Sequence, residues 1–181
     1  MIYLEHFQSP MGTLSIACHD NQLVLCDWQK RKMRDLIDQR ITKALHDNFT
    51  ERSHPLIEET KRQMNDYFNG QLKVFSLPLK PIGTDFQRKI WNQLLHIPFG
   101  KTKSYLELSH TINQPEAIRA VARANRANAL SIIVPCHRVI GSDGKLTGYA
   151  GGLATKKKLL TIEGIYFPPH QTSLFDADDF E

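Results

Sequence analysis

Cys136, His137 and Arg138 stand in consecutive positions directly after Pro135. A thiol, an imidazole and a guanidinium together can do nucleophilic chemistry. A free thiol is mostly protonated at neutral pH, and it attacks only when a neighbouring base or cation favours the thiolate. A base beside it needs a third group to orient it. The acids in the same half of the chain are Glu107, Glu116, Asp143, Glu163 and those of the C-terminal tail. Glu163, next to Gly164 at the end of the last predicted helix, is the best placed of these. Against this stands an inert core cysteine, since free cysteine is among the most buried residue types. The residue types alone leave both readings open.

Two further stretches carry chemistry. Arg119, Arg123 and Arg126 fall at i, i+4 and i+7, so they share one helix face, with Ala120, Ala124 and Ala127 running beside them. Arginine binds phosphates, and alanine lets a backbone come close to a partner. A solvated basic face is the plain alternative. After Cys136, the run Thr147-Gly148-Tyr149-Ala150-Gly151-Gly152-Leu153 holds three glycines and one aromatic, which brings backbone groups close to a flat ligand. It lacks the lysine and hydroxyl of a phosphate-binding P-loop. Cys18, His19 and Cys26 contain no CxxC pair, so no metal is expected, and no cofactor motif appears.

These residues need elements to hold them. Residues 131–134 form a β-branched run that predicts a strand ending at Pro135, with Cys136 at the strand end. Residues 2–7, 14–18 and 23–28 predict an antiparallel meander, and helical spacing marks 31–44 and 55–68, with a short returning strand at 74–75. Thr84 or Asp85 can cap a helix bearing Phe86, Ile90, Trp91, Leu94 and Leu95. Ser104 caps a helix to residue 112, and residues 115–127 form the next; two helices across a short turn have the shape of a helix-turn-helix. A last helix over 155–163 turns Leu159, Leu160 and Ile162 inward and Lys156-Lys157-Lys158 largely outward. The expected organisation is an α/β domain over 1–78, a linker over 79–83, a mostly helical domain over 84–167, and a mobile acidic tail over 168–181.

The 181 residues carry a formal net charge of +4, which is compatible with nucleic acid without demonstrating it. Three cysteines argue against a disulfide framework. With no apolar run of about 20 residues and no signal-like start, a cytoplasmic protein that does not enter a membrane is expected.

The motif Pro135-Cys136-His137-Arg138-Val139-Ile140-Gly141, followed by Gly148-Tyr149-Ala150-Gly151-Gly152-Leu153 and Glu163-Gly164, resembles the O6-alkylguanine-DNA alkyltransferases, or methylated-DNA–protein-cysteine methyltransferases. The likeness extends upstream to Phe86-Gln87-Arg88-Lys89-Ile90-Trp91, Tyr105, Arg119-Ala120-Val121 and Asn128, about the last hundred residues in consistent order. It implies a ribonuclease-H-like first domain and a suicidal repair protein. Such a protein binds double-stranded DNA in the minor groove and flips the alkylated guanine out, because the target atom is unreachable within the stack. It then moves the alkyl group onto its own cysteine. O4-alkylthymine is a second candidate substrate.

Carried over by position, the resemblance makes Cys136 the nucleophile, His137 a base acting through water, and Glu163 its orienter. Asn128 bridges the recognition helix to the active-site segment, and Tyr105 rotates the nucleotide and protonates the departing guanine. Arg119 takes the flipped nucleotide's place in the stack, with Ala120, Arg123 and Arg126 on the DNA side. Backbone at Cys136, Val139, Tyr149 and Ala150 reads the base, and Gly151 leaves room beside it. Ala150 stands where the family often has serine, and Asn125 where some members are apolar. A monomer is expected. Two other readings differ in class: a non-catalytic helix-turn-helix regulator, which would prefer one undamaged DNA sequence, and a cysteine hydrolase, which would turn over.

Overall fold

The computed structural model describes residues 1–168; the acidic-tail reading lies, apart from Pro168, outside the described residues. The chain divides into two compact units.

The first unit holds Met1–Gly83 together with Ala129–Ile133. Strands β1 (Ile2–Ser9), β2 (Gly12–His19) and β3 (Gln22–Trp28) form the expected meander, with Tyr3 opposite Cys18 and Leu14 opposite Trp28. Asp20 and Asn21 join β2 to β3 with both residues at positive φ, the geometry a two-residue hairpin demands and one that short polar side chains tolerate. Helix α1 (Arg34–Leu45) then crosses over to β4 (Phe49–Glu51), which adds parallel to β1 and gives the sheet order β3-β2-β1-β4. Helix α2 (Pro55–Phe68) buries Ile57, Met64 and Tyr67.

Strand β4 was not expected from the sequence, nor was the membership of Ala129–Ile133 in this unit, and the structure departs from the sequence reading at further points. Residues 74–75 form no strand, and Val74 is exposed. Of the apolar positions expected on α1, Ile37 and Ile41 are buried, whereas Met33 and Leu36 point to solvent. Within the stretch read as a linker, Leu79 pairs with Leu23: the Leu23 N–H donates to the Pro78 carbonyl and the Lys80 N–H to the Leu23 carbonyl, both at 2.8 Å.

Ala129–Ile133 belongs to this unit because the Cys26 N–H donates to the Ala129 carbonyl at 2.8 Å, Leu130 pairs with Cys26, and the Ser131 hydroxyl donates to Asp27 at 2.8 Å. Asp27 is fully buried and also accepts from Arg31 at 2.6 Å. That partnered carboxylate accounts for a charge in an otherwise apolar interior.

The second unit holds Thr84–Asn128 and the described chain from Val134 onward. Helix α3 (Asp85–Leu95) starts with a reciprocal cap between Thr84 and Gln87 and buries Ile90, Trp91 and Leu94. Ser104 and Glu107 cap α4 (Tyr105–Thr111) in the same way. A 3₁₀ turn at Pro115–Ala117 leads into α5 (Ile118–Arg126), so the single helix expected over 115–127 is two pieces. The Trp91 indole N–H donates to the Ala124 carbonyl at 2.7 Å, fixing α3 against α5. Two-residue strands β5 (Lys103–Ser104) and β6 (Val139–Ile140) pair in parallel, and α6 (Leu153–Ile162) closes the unit. Among the described residues no helix is long and apolar enough to cross a membrane.

Candidate active site

Residues 131–134 do not form the expected strand. Ile132 takes φ +73°, which a β-branched residue rarely adopts, and turns the chain. Cys136–Arg138 is instead a single 3₁₀ turn, and the three residues are buried. The strand rule that sets successive side chains on opposite faces therefore does not apply to Cys136 and His137.

The turn is anchored by Glu163, at the C-terminal end of α6. Its carboxylate accepts from His137 Nε2 at 2.7 Å, from Arg138 Nε at 2.9 Å and Nη2 at 3.0 Å, and from the Gly100 N–H at 3.1 Å. Arg138 donates once more, to the Ile97 carbonyl at 2.6 Å. Burial works to raise the Glu163 pKa, but these donors outweigh it and hold the carboxyl at about 2. An ionised carboxylate on Nε2 requires Nε2 to carry the proton, so Nδ1 presents the lone pair. Nδ1 is buried and makes no hydrogen bond to protein. Burial pulls the His137 pKa below its ordinary value against the pull of Glu163. The ring is therefore neutral at pH 7 and able to take a proton.

Asn128 donates from Nδ2 to the Val134 carbonyl at 2.9 Å, joining the end of α5 to the chain just before the catalytic turn. Tyr105 opens α4; its hydroxyl accepts from Asn125 Nδ2 at 3.4 Å, and burial pushes its pKa up to about 12. Arg119, Arg123 and Arg126 are all exposed on α5, and Ala120 is half-buried among them. Ala124 faces the interior instead, while Ile118 is partly exposed, so the small-residue side of the helix is shorter than the sequence pattern indicates. The structure thus gathers Cys136, His137, Glu163, Asn128 and Tyr105 into one unit and leaves the arginines on its surface.

Val139 is buried in β6, paired with Lys103. Tyr149 places its ring edge-on to His137, with centroids 6.4 Å apart, and Ala150 and Gly151 are half-buried in the same loop. Lys156 corrects the sequence reading. The expected outward lysine is fully buried, with Nζ donating to the carbonyls of Val139 at 2.5 Å, Thr147 at 2.6 Å and Gly148 at 3.3 Å. Three acceptors match the three N–H bonds of an ammonium. Lys156 thereby ties β6 to the glycine loop. Burial lowers its pKa to about 7, and Coulomb attraction to Cys136 opposes the fall; a cation within reach of that sulfur favours the thiolate.

Replacing Lys156 with methionine, which keeps the stem but removes the donors, leaves buried carbonyls unpaired. A loss of about 2 kcal/mol or more is expected, read from the denaturant midpoint, together with a less reactive Cys136 thiol. An unchanged midpoint would show that the loop does not depend on the lysine.

Sequence reasoning missed Gly100 and Lys156, and it named Arg138 without its hold on Glu163. Gly100 takes φ +74°, and a Cβ there would stand 3.0 Å from the Glu163 carbonyl oxygen. The signal for Gly100 was its place between two helices; for Lys156 it was one lysine of three falling on the inward period of α6. Among the described residues, no group of three or more His, Cys, Asp or Glu side chains is placed to hold a metal ion.

Comparison with known proteins agrees with this geometry over both units. Residues 2–81 match the family model described as 6-O-methylguanine DNA methyltransferase, ribonuclease-like domain, and residues 85–165 match its DNA binding domain. A methylated-DNA–protein-cysteine methyltransferase of Methanosarcina acetivorans is 42% identical, over 90% of this chain and 99% of the relative. The crystal structure of the Mycobacterium tuberculosis O6-methylguanine methyltransferase superposes with a TM-score of 0.77 at 38% identity, covering 93% of this chain and 96% of that one. A structure of the Mycobacterium tuberculosis protein in complex with DNA gives 0.76 at 39% identity, covering 89% and 92%. With both of its domains matched along nearly their whole length, this chain belongs to the 6-O-methylguanine DNA methyltransferase family.

Proposed function

We propose that this protein repairs DNA by a single irreversible transfer of an alkyl group, methyl above all, from O6-alkylguanine to Cys136. The observation that carries this reading is the buried turn in which Cys136 is followed by a neutral imidazole held by an ionised Glu163.

In the step, the Cys136 proton passes through a water to His137 Nδ1, and the thiolate attacks the alkyl carbon. A sulfur–carbon bond forms as the carbon–O6 bond breaks, and the electron pair leaves on the guanine. Tyr105, kept protonated by its raised pKa, gives its proton to the departing base and is reprotonated from solvent, to which His137 releases the proton it took from Cys136. A thioether is the product, and no group at the site is placed to displace it again.

The exposed arginines Arg123 and Arg126 supply phosphate contacts, which give sequence-independent affinity suited to inspecting every guanine. Arg119 fills the stack. Ala120 is small enough for the narrow minor groove of double-stranded DNA, and the backbone of Val139, Tyr149 and Ala150 reads the flipped base beside Gly151. The protein acts as a monomer in the cytoplasm.

The test is intact-mass measurement after incubation with an oligonucleotide carrying O6-methylguanine. One added methyl per molecule, mapped to Cys136, is expected. Repeated turnover, or an unmodified protein after the lesion has disappeared, would overturn the reading.

A further inference from the structure

Asn125 lies in the last turn of α5, is 5% exposed, and has no part in the scheme above. Its Nδ2 stands 3.3 Å from the Cys136 carbonyl oxygen and 3.4 Å from the Tyr105 hydroxyl. These distances are at the long end of hydrogen bonding, as catalytic contacts often are before substrate is in place. A carbonyl oxygen can only accept. Turning the amide over would set Oδ1 against it, two acceptors face to face, so the carbonyl of the nucleophile's own residue fixes which way the amide points.

The consequence falls on Tyr105. The second N–H of the same amide meets the phenol, so the phenol oxygen is an acceptor on that side and its one proton points elsewhere. Thr147 also faces the phenol and, like the Asn125 amide, works to lower its pKa, as a donor to the phenol oxygen does, so it does not compete for the phenol proton. Asn125 Oδ1 is itself buried without a partner. An unpaired buried carbonyl is destabilising, so packing alone would favour an apolar side chain here. The amide is kept at the expense of stability.

We propose that Asn125 is a positioning residue that holds the Tyr105 hydroxyl as an acceptor and so leaves its proton free for the departing guanine. This rests on the reading of Tyr105 as the proton donor. A leucine at position 125 would fill the space and leave the phenol to rotate.

A four-protein cycle tests it: the protein as it stands, Asn125→Leu, Tyr105→Phe and the double variant. For each, the rate constant of methyl transfer from O6-methylguanine DNA and the affinity for the same duplex are measured separately. Tyr105→Phe is expected to slow transfer by about 100-fold, the lower end of general-acid contributions. Asn125→Leu is expected to slow it roughly 10-fold, part of the same contribution, with affinity unchanged. In the Tyr105→Phe background the leucine should alter the rate by less than about twofold, because coupled groups are not additive.

Equal slowing by the leucine in both backgrounds would overturn the inference while leaving Tyr105 as the donor. No slowing by Tyr105→Phe would remove the donor role and the inference together, yet leave transfer to Cys136 intact. Should the leucine variant fail to fold, Asn125→Ala makes the same comparison.

Discussion

Exchanging Cys136 for alanine is expected to abolish methyl uptake and to leave affinity for methylated duplex DNA within about twofold, since surface contacts of this kind rest on arginine and phosphate. The asymmetry follows from where the parts sit. Cys136 is 3% exposed inside its turn, whereas Arg119, Arg123 and Arg126 are exposed on α5. Removing one atom from the turn changes nothing on the helix surface.

No other thiol can take over. Cys18 and Cys26 are fully buried in β2 and β3; burial raises the Cys18 pKa to about 11 and that of Cys26 further still, with Asp27 adding to the second. Thiols held protonated are poor nucleophiles. Intact mass after exposure to the methylated oligonucleotide gives the first result, and a binding titration gives the second. Methyl uptake persisting in the alanine variant would place the acceptor elsewhere. Loss of binding along with uptake would mean that the thiol's turn shapes the DNA surface.

Within the candidate site, Glu163 could be singled out by its place at a helix end, whereas Asn128 and Tyr105 show no local signal and followed only from the family resemblance. A Cys-His pair needs an acid, and Glu163 at a helix end was the acid available; the capping residues Thr84 and Ser104 announced α3 and α4. Most of the failures share one cause, tertiary contact overriding local preference. Residues 131–134 have the composition of a strand, but Ile132 is forced to positive φ where the chain returns to the first sheet. Lys156 sits in a run that reads as solvated, and only the three convergent carbonyls reveal why it is inside. Strand β4 spans three residues with an intermediate or exposed surface, too short for any alternation to show. Arg138 was visible within the motif, but its bidentate grip on Glu163 joins residues 25 apart in sequence.

That grip makes Glu163→Ala the most damaging single change expected for stability. One carboxylate serves His137, both faces of the Arg138 fork and the Gly100 N–H. Deleting it leaves a buried guanidinium with the Ile97 carbonyl and the face of Phe99 in place of its anionic partner. Breaking a buried ion pair from one side costs about 3–5 kcal/mol, and a lowered denaturant midpoint is the expected reading. Glu163→Gln keeps the shape and one acceptor but turns an N–H toward its donors, so it should fall between the two. Transfer slows as well: in Glu163→Ala, Nε2 of His137 loses the acceptor that fixes its tautomer, and in Glu163→Gln it keeps only a neutral one.

The pH dependence separates charge from shape. The folded carboxyl titrates at about 2, below the ordinary value near ~4.3 for an unfolded glutamate. A depressed pKa means that the stabilisation is complete above the unfolded value and drains away as pH falls toward the folded one. The stability gap between the protein and Glu163→Gln should therefore be constant near neutrality and shrink steadily from about pH 4.5 to about pH 2. A gap that stays level across that window would mean that Glu163 acts by packing and hydrogen-bond shape alone, with its charge contributing nothing to the hold on His137 and Arg138.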